Sequence, residues 1–184
     1  KVFADEVPDG QGSIRLSTLH RETVSCVIAY FGAADWGRYW KVSVKAPEKI
    51  ETRLRRVELV PSAYPCHKEQ DDNYLRIVPG MYPDLFRDLN TEGDGADKKY
   101  LTKEVPGQWR SLWLDVTVDA ELAGGDYAIM IETETEDGEK ETLKADLHVV
   151  DASLPPQKIL HTEWFHSDCL ADYYHVKPFS EEHW

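Results

Sequence analysis

Three observations predict an all-β fold for this chain. Apolar and polar residues alternate with a period of two through most of its length, as half-buried strands require. Turn signals built on Gly, Pro, Asn and Asp separate the alternating runs. No helical period links one run to the next, so nothing suggests a parallel α/β sheet. Many short strands with turns between them predict an antiparallel β-sandwich, Ig-like or jelly-roll-like, over residues 1–154.

The elements follow in order. Residues 13–19 and 23–31 read as two strands, and Y-W-K-V-S-V over 39–44 as a third. Residues 50–60 make a fourth: Ile50, Thr52 and Leu54 share one parity, whereas Val57 and Leu59 take the other. Such a change of face predicts a β-bulge there. Residues 74–78 read as a short strand between Pro-rich turns, and Pro79-Gly80, Pro83 and Pro106-Gly107 mark out a loop region. The clearest strand is Trp109–Val118. Arg110, Leu112, Leu114, Val116 and Val118 point one way, and Trp109, Ser111, Trp113, Asp115 and Thr117 the other. A turn over 119–125 leads to a strand with Tyr127, Ile129 and Ile131 on its apolar side. Asp137-Gly138 is a strong hairpin signal, since both residues tolerate positive φ. The partner strand turns Leu143, Ala145, Leu147 and Val149 inward.

Composition narrows the functional classes. The chain has 184 residues and a formal net charge of −13. That charge repels the phosphates of nucleic acid and of anionic membranes, so neither is an expected partner. No apolar run approaches the roughly 20 residues of a membrane span. Cys26, Cys66 and Cys169 are odd in number and widely spaced. They form neither a disulfide framework nor a metal signature, and reduced thiols suit a cytoplasmic protein. The acidic run 132–141 reads as a solvated hairpin. No phosphate loop, nucleophile elbow or other cofactor motif is present, and no cofactor is expected.

The composition changes after Leu154. Pro155-Pro156 offers no backbone donor to a sheet and reads as a linker. K-I-L-H-T-E-W-F over 158–165 reads as a new strand, followed by a short segment over 169–174. Ser180 is a good N-cap, and Glu181 and Glu182 suit the positive end of a helix dipole. A helix that begins so near Trp184 predicts a chain that is a piece of a longer protein.

L-P-P-Q-K-I-L-H-T-E-W-F-H-S-D-C-L-A-D-Y-Y over 154–174, then F-S-E-E-H-W, resembles a group of bacterial glycoside-hydrolase-like proteins. They carry a C-terminal region known as domain of unknown function 4091 and are distantly similar to glycoside hydrolase family 123. The patterns S-L-W-L-D-V-T-V, G-G-D-Y-A-I-M-I-E-T and L-K-A-D-L-H-V-V resemble the last strands of their N-terminal sandwich. The resemblance implies a sandwich over 1–154. It also implies a linker and the first strand of a (β/α)₈ catalytic barrel over 155–184. Active sites in that fold draw on the C-terminal ends of several strands. The resemblance therefore implies a non-catalytic accessory domain here, with catalytic acids and the rest of the barrel elsewhere in the parent protein.

In that setting Trp164 would stack on a sugar ring, and His166 and Asp168 would bond its hydroxyls. The alternative is an ordinary strand with Trp164 as packing. His161, Glu163, His166, Asp168, Cys169 and His175 are ligand types, but their spacing fits no zinc signature. Glu163 with Asp168 could supply two carboxylates, although one strand cannot hold a sugar between them. Residues 92–97 lack the length and terminal Glu of a calcium loop. Trp109 and Trp113 lie opposite an aliphatic face. They read as an interface to the catalytic barrel or as an aromatic platform for carbohydrate. Trp36, near the tip of A-D-W-G-R-Y-W over 34–40, is a ligand contact, a lid or edge packing, and Trp40 joins the platform if there is one. Three roles remain in play: accessory domain, carbohydrate-binding module, and structural or interaction sandwich. Self-association through residues 155–184 is a further expectation.

Overall fold

The computed structural model describes residues 2–10, 13–33, 36–66, 69, 74–162 and 167–183. The chain divides into two compact units, Lys1–Leu154 and Pro155–Trp184.

The first unit is a sandwich of two sheets. Its strands are β1 (Ile14–His20), β2 (Thr23–Phe31), β3 (Tyr39–Lys45), β4 (Ile50–Ser62), β5 (Gly80–Asp88), β6 (Asn90–Glu92), β7 (Lys99–Lys103), β8 (Trp109–Val118), β9 (Gly125–Thr135) and β10 (Lys140–Ser153). Six form one sheet in the order β1-β10-β9-β3-β7-β6, and four form the other as β2-β8-β4-β5. Pairing is antiparallel except between β1 and β10. β1 thus leaves the turn before β2 and joins the opposite sheet.

The alternation in β8 is realised as expected. Leu112, Leu114, Val116 and Val118 are buried, meeting Ile28, Val42, Leu54, Ile129, Ile131, Ala145, Leu147 and Val149 in one apolar layer. Burying a side chain such as Leu114 stabilises the fold by about 2 kcal/mol relative to exposing it. Gly138 closes the β9–β10 hairpin at φ +84°, and its N–H donates to the Thr135 carbonyl at 2.9 Å. Gly32 is required by close approach: a Cβ there would meet the Val105 carbonyl oxygen at 2.2 Å.

Four expectations change. First, the bulge is not in β4, which runs in unbroken register along β8 from Ile50 to Val57. The irregularity is on the other side, where Glu58 pairs with Leu85 and Leu59 with Pro83, so that the extra residue belongs to β5. Val57 is buried on the outer face instead, paired across with Ser111 and Phe86. Second, the region read as loop between Gly80 and Lys103 holds β5, β6 and β7. Pro83 is compatible with β5 because that strand is an edge, where a missing N–H costs no ladder bond. Third, residues 74–78 form no strand, and Leu75, Ile77 and Val78 are exposed.

Fourth, residues 158–162 form no strand, having no ladder partner among the described residues. Glu163, Trp164, Phe165 and His166 lie outside the described residues. The second unit contains an α-helix, α1 (Ser167–Tyr174), and a 3₁₀ turn, Glu181–His183, where the start of a helix was expected. No helix among the described residues is long and apolar enough to cross a membrane.

Candidate functional site

The interior of the sandwich changes character along its length. At one end the inward residues are aliphatic. At the other end four strands switch together. Ile28 gives way to Tyr30 on β2, and Leu112 to Arg110 on β8; Val42 gives way to Trp40 on β3, and Ile131 to Thr133 and Thr135 on β9. Register holds them at one level: Tyr30 pairs with Arg110, and Trp40 lies between Thr102 and Thr135. The Tyr30 and Trp40 rings are 5.3 Å apart across the two sheets. Burial pushes the Tyr30 hydroxyl up from its ordinary pKa, and its hydrogen bond with Thr102, at 3.3 Å, offsets part of that.

Glu104 organises this end. It continues the inward parity of β7 after Tyr100 and Thr102, and its carboxylate is fully buried. The Trp40 indole N–H donates to Glu104 Oε1 at 2.6 Å, and Arg38 Nη2 donates to the same oxygen at 3.1 Å. Arg38 reaches outward as well, donating to Glu139 at 2.7 Å. These carboxylates raise the Arg38 pKa further, chiefly through its hydrogen bonds to Glu104. A buried carboxylate is costly unless it is fully hydrogen-bonded, so the cluster fixes both the indole and the guanidinium. Gly37 permits it, because a Cβ there would meet the Glu104 carbonyl oxygen at 2.5 Å.

A cleft of about 730 Å³ opens at this end, between β2 and the start of β10. Tyr30, Phe31, Trp40 and Trp109 bring the aromatic surface, and Arg38, Glu139, Lys140 and Glu141 bring the charge.

The second feature is the outer face of the four-stranded sheet. Trp109 packs against Phe31 with ring centres 5.3 Å apart and planes tilted by 48°, and Trp113 against Phe86 at 4.9 Å and 44°. Val27, Phe31 and Phe86 are exposed, while both tryptophans are half-buried. Trp113 is pinned through its indole N–H to Asp115 at 2.7 Å, and Asp115 also accepts from Ser25 and Arg55. Burial pushes the Asp115 carboxyl up, but these three hydrogen bonds outweigh it and hold the pKa below its ordinary value.

The predicted residues therefore separate. Trp40 and Trp109 line the cleft, and Trp113 stands on the outer face. Trp36 is mostly exposed, with its N–H 3.3 Å from Glu136 of the β9–β10 turn. Asp168 is in the first turn of α1. Trp164 and His166 lie outside the described residues. The sequence reading passed over Glu104, Arg38 and Phe86. For Glu104 a signal was present, the period-two run Tyr100, Thr102, Glu104. Among the described residues, no group of three or more His, Cys, Asp or Glu is placed to hold a metal ion.

No protein-family model and no curated protein sequence matches the chain. Among solved structures it is similar to a family 123 glycoside hydrolase from Clostridium perfringens, studied for glycolipid glycan hydrolysis. The TM-score is 0.64 at 13% identity, over 95% of this chain and 30% of that one. That share of the chain is too large for residues 1–154 alone, so the similarity extends into 155–184. It is similar more loosely to a PapD-like domain of human CEP192, with TM-score 0.41 and 11% identity over 82% of this chain and 89% of that one. The C-terminal domain of Streptococcus agalactiae BspA gives 0.38 and 14% over 80% and 49%. At these identities the likeness is one of fold, a β-sandwich. The chain spans about a third of the glycoside hydrolase's length.

Proposed function

We propose that this chain is the non-catalytic accessory sandwich of a glycoside-hydrolase-like enzyme, supporting a catalytic (β/α)₈ domain encoded by further sequence. The observation that carries the reading is the apolar surface of residues 155–184. Ile159, Leu160, Tyr173, Tyr174 and Phe179 are exposed, and α1 buries only Ala171. Thirty residues cannot bury such side chains on one another, and a surface of this kind marks a place where more protein packs. The fold likeness to part of a glycoside hydrolase supports the same reading, as does the sequence resemblance of residues 154–174 to enzymes that enter their barrel there.

In the assembled enzyme the outer face around Trp113 packs on the catalytic domain. Aromatic side chains are enriched in interface cores, and Phe86, packed on Trp113, and Val27, paired beside it, complete the patch. Residues 158–165 pair as the first barrel strand once neighbouring strands exist, and Trp164, His166 and Asp168 then reach sugar. The isolated chain has no hydrolytic activity on this account, and its exposed tail self-associates at high concentration.

Tryptophan quenching by acrylamide tests the docking. Trp113 should be accessible in this chain and shielded in the complete product of its gene. Equal accessibility in both would remove the interface. A gene product with no barrel-sized sequence after Trp184 would remove the catalytic partner.

A further inference from the structure

We infer that the cleft at the aromatic end of the sandwich is a binding site for a neutral saccharide. This goes beyond the accessory role, which rests on the outer face and the tail. The cleft's volume, about 730 Å³, falls within the range of small-ligand sites, roughly 300–1,000 Å³.

Its walls have the two properties a sugar ring demands. The C–H face of a ring packs on aromatic planes, and Phe31, Trp40 and Trp109 supply them. Ring hydroxyls need mixed donors and acceptors held in place. The Thr133 hydroxyl does either and Glu141 accepts, while the Arg38–Glu139 pair and Lys140, which also reaches Glu134, form a charged rim with spare donor and acceptor capacity. Arg38 and Lys140 are outnumbered by Glu139, Glu141 and the buried Glu104 behind them, so the site has no cationic excess to hold an anion and suits a sugar without acidic groups.

Glu104 makes the wall rigid. Its buried carboxylate holds the Trp40 indole and the Arg38 guanidinium in one arrangement before any ligand arrives. Preorganised groups lose less freedom on binding. The switch from aliphatic to aromatic and polar residues on four strands at one level brings these groups together at one end of the sandwich. An extended peptide pairing with the edge of β2 is the competing occupant. The charged, hydroxyl-bearing lining favours the sugar, since a peptide added to an edge is held mainly by backbone bonds.

The test titrates the full chain with cellobiose, lactose and N,N′-diacetylchitobiose, with 3′-sialyllactose as an anionic control and a five-residue Thr-Val peptide. The Trp40 indole N–H resonance and calorimetry give the readouts. At least one neutral sugar should bind saturably and move that resonance. Phe31→Ala, a change at an exposed residue that leaves the fold intact, should weaken binding about tenfold, and Trp40→Ala should abolish it. Four results would each overturn the inference. These are no saturable binding of any neutral sugar at about 10 mM, affinity indifferent to Phe31→Ala, tighter binding of the anionic control, or binding of the peptide alone. Failure here leaves the docking account standing, because that is read at Trp113, outside the cleft.

Discussion

Residues 1–154 and 155–184 solve the same problem with opposite success. In the sandwich, Leu54, Leu114, Ile129, Ile131 and Leu147 are all at most 1% exposed, each covered from the facing sheet. In the second unit Leu160 is 92% exposed and Ile159 79%. The difference lies in what each has to pack against, since both are rich in large apolar residues. Two sheets supply a closed apolar layer, whereas the described residues of the second unit, a short helix and irregular segments, supply no such layer. The sandwich therefore closes its own core, whereas the second unit leaves large apolar side chains uncovered.

Stability measurements sharpen this contrast. Leu114→Ala should lower the unfolding free energy by about 3 kcal/mol in urea titrations, because the facing sheet cannot collapse onto the space left. Gly32→Ala should cost about 2 kcal/mol, since the added methyl meets the Val105 carbonyl oxygen and either backbone must move. A smaller effect is expected at Asp115, and it depends on pH. The folded carboxyl titrates below its ordinary value, so its contribution is complete above about pH 4 and is lost as pH falls through the folded pKa. Asp115→Asn should flatten the fall in stability below about pH 4 and remove part of the stability at neutral pH. Smallest of all, Leu160→Ala should change stability by less than about 0.5 kcal/mol. A loss at Leu160 as large as that at Leu114 would break the contrast.

The sandwich was legible because its inner residues obey a period of two on strands buried on one face. Ile28, Leu114, Ile129 and Leu147 all follow from that rule. β5, β6 and β7 were hidden for a physical reason. β5 carries Pro83 on an edge, leaves Leu85 and Phe86 exposed and is bulged against β4, so no clean alternation survives. The Leu54-to-Val57 change of face was visible, but its cause was not. Val57 belongs to an outer apolar layer whose other members, Phe86 and Trp113, come from distant strands. The aromatic cleft was half legible: Trp40 and Trp109 drew notice as aromatics. The Glu104 cluster depends on β3 and β7 pairing to bring residues 38, 40 and 104 together. Residues 158–162 read as a strand from their apolar content, yet a strand exists only with a neighbour to bond.

Hydrogen exchange tests the central claim most directly. It would compare the amides of α1 and β8 in this chain and in the complete gene product. The account predicts that α1 exchanges orders of magnitude faster than β8 in this chain alone, and slows toward β8 when the rest of the protein is present. Equal protection of α1 and β8 in this chain alone would contradict it, because the second unit would then need no partner.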